Sequence, residues 1–179
     1  MVAALPGVER AGPAPVDAVR AAVMALLQGV VDPEIPAISI VDLGIVRAVS
    51  LVDGELGVEL LPTFIGCPAL ELIQAGVRER LAPLAGEEAS GIERITVSIS
   101  YAEAWTADRI SARGRAALVA SGFAPPGGGP QLLALSAPAT CPFCGSRRTV
   151  LENAFGPTRC RSIHYCTSCR QPFEQFKDG

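Results

Sequence analysis

The chain of 179 residues is predicted to be an α+β protein: a small α-β-β-α-β-α domain with its helices packed on one face of a sheet, followed by a small C-terminal domain built around four cysteines. Three observations lead to this prediction. Apolar residues recur at helical spacing in some segments, and they alternate at strand spacing in others. Two Cys-x-x-C pairs stand close to the C-terminus.

The first helix is predicted to begin at Asp17, whose carboxylate can cap it, and to run to about Gln28. Gly29 suits its C-terminal end. The apolar residues that would form its buried face are Val19, Val23, Leu26, Leu27 and Val30. The two prolines within residues 31–36 then favour an extended or turn path.

Two strands are predicted at residues 45–52 and 56–61, because Asp53-Gly54 between them is typical of a two-residue hairpin. A helix follows from Pro68 to about Leu81. Its inner face would consist of Leu70, Ile73, Val77 and Leu81.

The last elements of the domain are a third strand and a third helix. Residues 95–101 alternate in polarity, which turns Ile95, Val97 and Ile99 to one face. Thr106 is expected to cap a helix that reaches about Ser121.

Composition suggests four segments. Residues 1–14 are rich in Ala, Gly and Pro and are expected to be disordered. The α+β domain would span residues 15–123, and a Pro/Gly linker would follow at 124–135, with a short strand at 132–135. The four-cysteine domain would occupy residues 136–179.

The overall composition, 49% hydrophobic and 18% charged, is typical of a medium globular domain joined to a small one. The first ten residues lack a basic leader, and no apolar run approaches the ~20 residues of a membrane helix. We therefore expect a cytoplasmic protein, whose thiols stay reduced and bind metal rather than form disulfides.

The charge is unevenly distributed along the chain. Residues 136–179 hold six basic and three acidic side chains, whereas residues 1–135 hold nine and fifteen. The basic tail would suit an acidic partner, or nucleic acid through Arg147, Arg148, Arg159 and Arg161. Solvation of a small metal domain is the simpler interpretation, and the acidic body disfavours nucleic acid.

The two Cys-x-x-C pairs predict a metal site. Twenty-one residues separate the pairs, and the four expected ligands are Cys141, Cys144, Cys166 and Cys169. A closed shell of four thiolates indicates a structural ion in a zinc-ribbon-like domain, with Zn²⁺ expected. Iron in an S₄ site or a cluster is the alternative.

Two neighbours of these pairs, Cys160 and His164, offer further donor atoms. Either can replace a ligand in another register, so Cys160 is a possible additional ligand. The alternatives are that Cys160 is a small buried apolar side chain and that His164, the sole histidine, is an exposed loop residue.

Cys67 stands apart from the other five cysteines. Because Pro68 favours a first helical position, Cys67 is predicted to be a helix N-cap, where the helix dipole would lower the pKa of its thiol. Gly66 permits a tight turn, and Thr63 offers a hydroxyl in the same loop. With the sole histidine far along the chain, Cys67 is interpreted as a ligand or carrier thiol; an inert buried cysteine is the alternative.

Three carboxylates surround an irregular loop: Asp32, Glu34 and Asp42. They can bind a metal ion, or they can cap backbone N–H groups, which is the commoner use of Asp beside Pro. The sequence contains no phosphate-binding glycine loop, dinucleotide fingerprint or Ser/His/Asp set.

Several of these motifs together resemble known families. The runs at 32–36, 39–44 and 63–68 (DPEIP, SIVDLG and TFIGCP) are similar to the signature of the MIP18 (DUF59) family, whose members take part in iron–sulfur cluster assembly. Joined to the C-terminal cysteine pairs and the run FGPTRCR at 155–161, they resemble the PaaD family (also called PaaJ) of bacterial 1,2-phenylacetyl-CoA epoxidase systems.

The resemblance implies an accessory subunit rather than an enzyme, one that helps to mature an iron–sulfur or di-iron centre. Its implied partners are the other subunits of the epoxidase system, with the reductase as a candidate recipient. The implied cofactors are a structural Zn²⁺ and a transient iron or Fe–S cluster. Cys67 would be the functional thiol, and its implied surroundings are Thr63, Asp32, Glu34 and Asp42.

Three other functions remain open from the residues alone. The chain can be a permanent structural subunit without transfer chemistry, or a nucleic-acid-binding zinc ribbon. It can also be an enzyme in its own right, although no motif identifies a reaction.

Overall fold

The computed structural model describes residues 16–86, 91–127 and 138–177. Its helices are α1 (Val16–Leu27), α2 (Leu70–Leu81) and α3 (Ala112–Ala120). Its strands are β1 (Val46–Val52), β2 (Glu55–Leu60), β3 (Arg94–Ile99), β4 (Phe123–Ala124), β5 (Thr149–Asn153), β6 (Arg161–Cys166) and β7 (Pro172–Phe176). The first six main elements follow the predicted order α-β-β-α-β-α.

The first sheet has the order β1-β2-β3, with β1 antiparallel and β3 parallel to β2. Asp53 and Gly54 turn the β1–β2 hairpin with φ of 47° and 75°, which are the two positive values that a type I′ turn needs. The connection from β2 to its parallel neighbour β3 runs through α2, as parallel pairing requires.

One face of this sheet is buried under α1 and α2. The sheet contributes Leu56, Val58, Leu60 and Val97 to the core, and α1 contributes Val23 and Leu27. The four predicted inner-face residues of α2 are all buried. The opposite face carries polar side chains, among them Arg47 paired with Glu59 and Glu103.

Two predicted helix caps are wrong. Asp17 lies inside the first turn of α1, which begins at Val16. Thr106 precedes a single 3-10 turn and makes no side-chain cap bond. Ser111 caps α3 instead, since its hydroxyl accepts a 2.9 Å hydrogen bond from the backbone N–H of Gly114.

The second sheet, β4-β7-β6-β5, joins the two parts of the chain. β5, β6 and β7 form an antiparallel ribbon, and β4, which directly follows α3, pairs in parallel with β7. The predicted boundary between residues 123 and 124 therefore falls inside β4. The predicted strand at 132–135, most of the predicted linker and the predicted disordered segment 1–14 lie outside the described residues.

The ribbon packs directly against the first domain. Trp105 is buried, and its ring meets that of Phe176 in β7 edge-on, with centroids 5.8 Å apart. Its indole N–H donates to the carbonyl of Leu43 at 3.0 Å. Phe176 and Cys160 both belong to the core of the first domain, so the two domains share one apolar interior.

None of the helices within the described ranges is both long enough and apolar enough to cross a membrane.

Candidate metal centre and interdomain pocket

The four predicted ligands come from two turns of the ribbon. Cys141 and Cys144 lie in a turn before β5, closed by a 2.9 Å hydrogen bond from the N–H of Gly145 to the carbonyl of Cys141. Cys166 ends β6, and the N–H of Arg170 donates to its carbonyl at 2.8 Å in the turn that carries Cys169. The two turns repeat the same geometry, which points both pairs of sulfurs inward.

The four sulfurs lie within 4.8 Å of one another. Cys141 and Cys169 are 3.7 Å apart at sulfur, and Cys144 and Cys166 are 3.6 Å apart. A tetrahedral ion with metal–sulfur bonds of about 2.3 Å separates its ligands by roughly 3.8 Å. The donor set therefore fits one thiophilic ion with a closed shell.

Cys160 and His164, the two further candidate ligands from the sequence, are not part of this centre. His164 is not an exposed loop residue: it is buried in β6, stacked on Phe173 at 5.4 Å, and its Nε2 lies 3.1 Å from the hydroxyl of Ser162. Burial lowers the pKa of His164. Cys160 is outside the four-sulfur group and faces the first domain.

A second site lies where the two domains meet. It is a cavity of about 210 Å³, which we call the interdomain pocket. Three segments line it: Glu34, the loop around Cys67, and residues 157–160 of the ribbon. Cys160 therefore shares a pocket with Cys67, although 92 residues lie between them in the chain.

Cys67 is held by a tight turn in front of α2. Gly66 takes a φ of 77°, and the N–H of Cys67 donates to the carbonyl of Phe64 at 3.2 Å. The predicted N-cap position is wrong, since the cap of α2 is Ala69. Even so, the backbone N–H groups of Ala69 and Leu70 reach the Cys67 sulfur.

The predicted lowering of the Cys67 pKa is also wrong. Burial raises the pKa of the half-buried thiol, and the two backbone N–H groups oppose this only in part. The carboxylates of Glu34 and Asp32 raise the pKa further, because they repel a thiolate. Cys67 is accordingly a neutral thiol at neutral pH, and a cation that binds it must displace a proton.

Cys160 sits in a similar environment. Its sulfur lies 3.1 Å from the hydroxyl of Thr158 and 3.8 Å from a carboxylate oxygen of Glu34. Burial is the main reason why the pKa of this thiol is raised. Glu34 is therefore the carboxylate that connects the two cysteines of the pocket.

The remaining predicted surroundings of Cys67 do not line the pocket. Asp32 is buried and accepts hydrogen bonds from the N–H groups of Glu34 and Ile35 at 2.8 and 2.9 Å, so it caps the turn that presents Glu34. Burial raises the pKa of Asp32. Thr63 is buried earlier in the Cys67 loop.

Asp42 lies outside the pocket lining, beside the start of α3. Its carboxylate accepts hydrogen bonds from Ser111 at 2.6 Å, Arg113 at 2.9 Å and Ser39 at 3.0 Å. Burial by itself would raise the pKa of Asp42, but these hydrogen bonds outweigh it and hold the pKa below its usual range. Asp42 thus fixes the start of α3 to the loop before β1.

The basic residues of the ribbon are not a uniform patch. Arg161 is withdrawn into the domain interface, where it pairs with Glu174 at 3.0 Å and with Glu34 at 3.6 Å. Arg148 donates to the hydroxyl of Ser168 at 3.0 Å beside the four-sulfur group. Arg147 and Arg159 are exposed.

Two parts of this chain match known families. Residues 20–93 match the family described as iron-sulfur cluster assembly protein, and residues 127–177 match the family described as PaaD zinc beta ribbon domain. Cys67 lies in the first range, and the four-sulfur group lies in the second.

Two individual relatives match this chain, one over most of its length and one over half of it. An Escherichia coli (strain K12) protein, provisionally named as the D-subunit of 1,2-phenylacetyl-CoA epoxidase, is 36% identical over 87% of this chain and 90% of its own length. A Porphyromonas gingivalis protein named Fe-S protein maturation auxiliary factor is 29% identical over 50% of this chain and 80% of its own length.

A solved structure supports the fold of the first domain. A DUF59 domain of unknown function from Bacillus anthracis has 27% identity and a TM-score of 0.51, covering 57% of this chain and 93% of that domain. Together, the family matches, the Escherichia coli relative and this structure confirm the α+β fold, the ribbon and the family resemblance predicted from the sequence.

Proposed function

The chain belongs to the PaaD family of 1,2-phenylacetyl-CoA epoxidase subunits, and from that premise we propose that it is an accessory protein which helps to mature an iron–sulfur or di-iron centre of the epoxidase system. It does not carry out the oxygenation itself. Its cargo is iron, as an ion or a small iron–sulfur unit, and the functional thiol is Cys67.

The observation that carries this proposal is the interdomain pocket. Cys67 is half-buried in a cavity of about 210 Å³, with the carboxylate of Glu34 in the same wall. A soft thiol and a hard carboxylate together suit iron. A site that supplies fewer than four protein ligands keeps coordination positions open, so that cargo can pass to a recipient.

The ribbon has a different role in this proposal. Its four thiols fill every position of a tetrahedral ion, and a closed shell has no place for cargo. We assign zinc to it as a structural ion. The ribbon then completes the pocket and offers a surface to the partner subunits, with the reductase as the proposed recipient in the cytoplasm.

The surface around the pocket supports contact with a protein. Ile65, two residues before Cys67, is 78% exposed, and Phe155 of the ribbon is 63% exposed. Exposed large apolar residues beside a functional pocket are typical of transient docking surfaces. The acidic first domain and the withdrawal of Arg161 into the interface speak against nucleic acid as the partner.

The test is Cys67→Ser in cells that express the complete epoxidase system. We expect at least a tenfold loss of phenylacetyl-CoA epoxidation and a matching loss of iron from the recipient subunit, while the purified variant keeps its zinc. The control is Leu72→Ala, which truncates an exposed side chain of α2 outside the pocket lining. Normal activity and normal iron content in the Cys67 variant would refute the proposal.

Co-purification separates this role from that of a permanent structural subunit. An assembly factor should leave the oxygenase complex once the centre is filled. Stoichiometric co-elution of all subunits from a sizing column, with activity independent of Cys67, would favour the structural subunit.

A further inference from the structure

We propose that Cys160 is a second cargo ligand, so that iron is held between the two domains by Cys67, Cys160 and Glu34. This inference rests on the proposed function, because it assigns further ligands to the same cargo. It gives the ribbon a direct chemical part in carrying iron, beyond its own metal centre.

The packing of Cys160 is the first argument. Cys160 directly precedes β6 of the ribbon, yet it is buried within the core of the first domain rather than among the ribbon's own apolar residues. Its carbonyl accepts a 2.8 Å hydrogen bond from the N–H of Lys177. The ribbon therefore places the Cys160 thiol on the other side of the domain boundary, and this hydrogen bond fixes the backbone of Cys160.

The direction of the sulfur is the second argument. The Cys160 sulfur lies 3.8 Å from the Glu34 carboxylate, and both line the pocket that also contains Cys67. The contact is a weak S–H hydrogen bond from Cys160 to the carboxylate, and it turns the sulfur toward the acidic group of the pocket. Two thiols and one carboxylate converge on one cavity from three separate chain segments.

The third argument is that ion pairs and hydrogen bonds already hold the part of the pocket formed by Glu34 and the turn before Cys160. Arg161, whose side chain is only 10% exposed, bridges Glu34 and Glu174 and so ties the first domain to β7. Its guanidinium also donates to the Thr158 hydroxyl at 2.9 Å. The same arginine thus positions Glu34 and the turn before Cys160, while a positive charge beside the pocket balances bound thiolates.

The spread of the donors indicates the kind of cargo. Within the described residues, the four cysteines of the ribbon are close enough to share a single ion without movement. The donors of the pocket surround a cavity instead. A volume of about 210 Å³ corresponds to roughly seven waters at ~30 Å³ each. Such a space accepts hydrated ferrous iron or a small iron–sulfur unit, and two thiols select against Mg²⁺ and Ca²⁺.

The test uses the full chain with zinc retained in the ribbon, under anaerobic conditions. Ferrous iron alone is titrated in one arm, and ferrous iron with sulfide in the other. X-ray absorption at the iron edge in the sulfide-free arm counts the protein sulfurs around iron. We expect two for the wild type, and at least tenfold weaker iron binding for both Cys67→Ser and Cys160→Ser.

Leu151→Ala is the control, since it truncates an exposed side chain of the ribbon that does not line the pocket and keeps both thiols. It should bind iron as the wild type does. Acid-labile sulfide that stays with the protein in the second arm identifies the cargo as an iron–sulfur unit, and its absence identifies the ion; either result is compatible with the ligand assignment.

Other outcomes separate this inference from the proposed function. Suppose that iron has one protein sulfur, that Cys160→Ser binds iron normally and that Cys67→Ser does not bind it. This result overturns the ligand role of Cys160 but leaves the proposed function intact. Normal iron binding by both variants overturns the cargo site and the proposed function together. If Cys160→Ser fails to fold, the sulfur count in the wild type decides.

Discussion

The four-sulfur group and the interdomain pocket use the same element, cysteine sulfur, in opposite ways. In the first, four thiols from two matching turns lie within 4.8 Å of one another. In the second, two thiols and a carboxylate line a cavity of about 210 Å³. The four-sulfur group can supply all four ligands of one ion, whereas the pocket leaves space beside its donor atoms.

This difference shows that cysteine sulfurs in one chain can form either a closed donor set or an open one. Four ligands that saturate an ion are best used to hold a small fold together. An unsaturated set at a domain boundary is better suited to accept and release cargo. Changes that affect one site and spare the other can test this contrast.

The largest effect is expected from Cys141→Ser, which removes a buried ligand of the four-sulfur group. The ribbon should lose its metal and unfold, since structural zinc supplies roughly 10–16 kcal/mol of apparent binding free energy in small domains. Zinc analysis and circular dichroism measure the loss, and Ser168→Ala beside Cys169 is the control that should keep zinc. An unchanged thermal transition without zinc would contradict the structural role.

A smaller effect is expected from Phe176→Ala at the domain interface. The free energy of unfolding should fall by about 3 kcal/mol, because a buried aromatic ring that packs on Trp105 is lost. Iron binding at the pocket should weaken at least tenfold while zinc stays bound. Urea unfolding and metal titration check this, with exposed Phe143→Ala as the control. Undiminished iron binding would show that the pocket does not depend on domain contact.

Asp42→Asn should lower the free energy of unfolding by about 1–2 kcal/mol at pH 7, because it weakens charge-assisted hydrogen bonds. The pKa of folded Asp42 is below its unfolded value, so its stabilisation is present above about pH 4 and is lost as pH falls through the folded pKa. Denaturant unfolding should therefore show the difference between the variant and the wild type shrinking below about pH 4.

The same variant sharpens the contrast between pocket and scaffold. Iron binding by Asp42→Asn should equal that of the wild type at neutral pH. A weaker iron affinity at unchanged stability would place Asp42 among the cargo residues after all.

The smallest effect on stability is expected from Cys67→Ser. Cys67 is half-buried and lines a cavity, so the variant should change the free energy of unfolding by less than about 1 kcal/mol. Its iron delivery should nonetheless fall at least tenfold. Equilibrium denaturation supplies the measurement, and a destabilisation above ~2 kcal/mol would assign Cys67 to the core instead.

Local patterns in the sequence predicted most of the fold. The Asp53-Gly54 hairpin, the buried face of α2 and the two cysteine turns each depend on residues close together in the chain, and the structure confirms them. Cap positions were less predictable: Ser111 rather than Thr106 caps α3, and Asp42 anchors the Ser111 hydroxyl.

The pocket could be predicted only in part, because it depends on long-range packing. The helix dipole alone predicts a lowered pKa for Cys67, but burial and the carboxylates of Glu34 and Asp32, which the local sequence does not reveal, raise it. Nothing near Cys160 in the chain indicated that it would meet Glu34. The only hint was an extra cysteine in the ribbon without a partner in either Cys-x-x-C pair.

The parallel pairing of β4 with β7 affects whether an edge of the ribbon stays unpaired when the chain leaves the ribosome. Without β4, the backbone of β7 would present unpaired N–H and C=O groups, and exposed strands of this kind recruit other chains. The first domain is made before the ribbon, so its terminal residues Phe123 and Ala124 are already present when β7 leaves the ribosome. Phe123 and Ala124 thereby cover this edge of β7 at Glu174 and Gln175, and separating the two domains would leave the edge unpaired there.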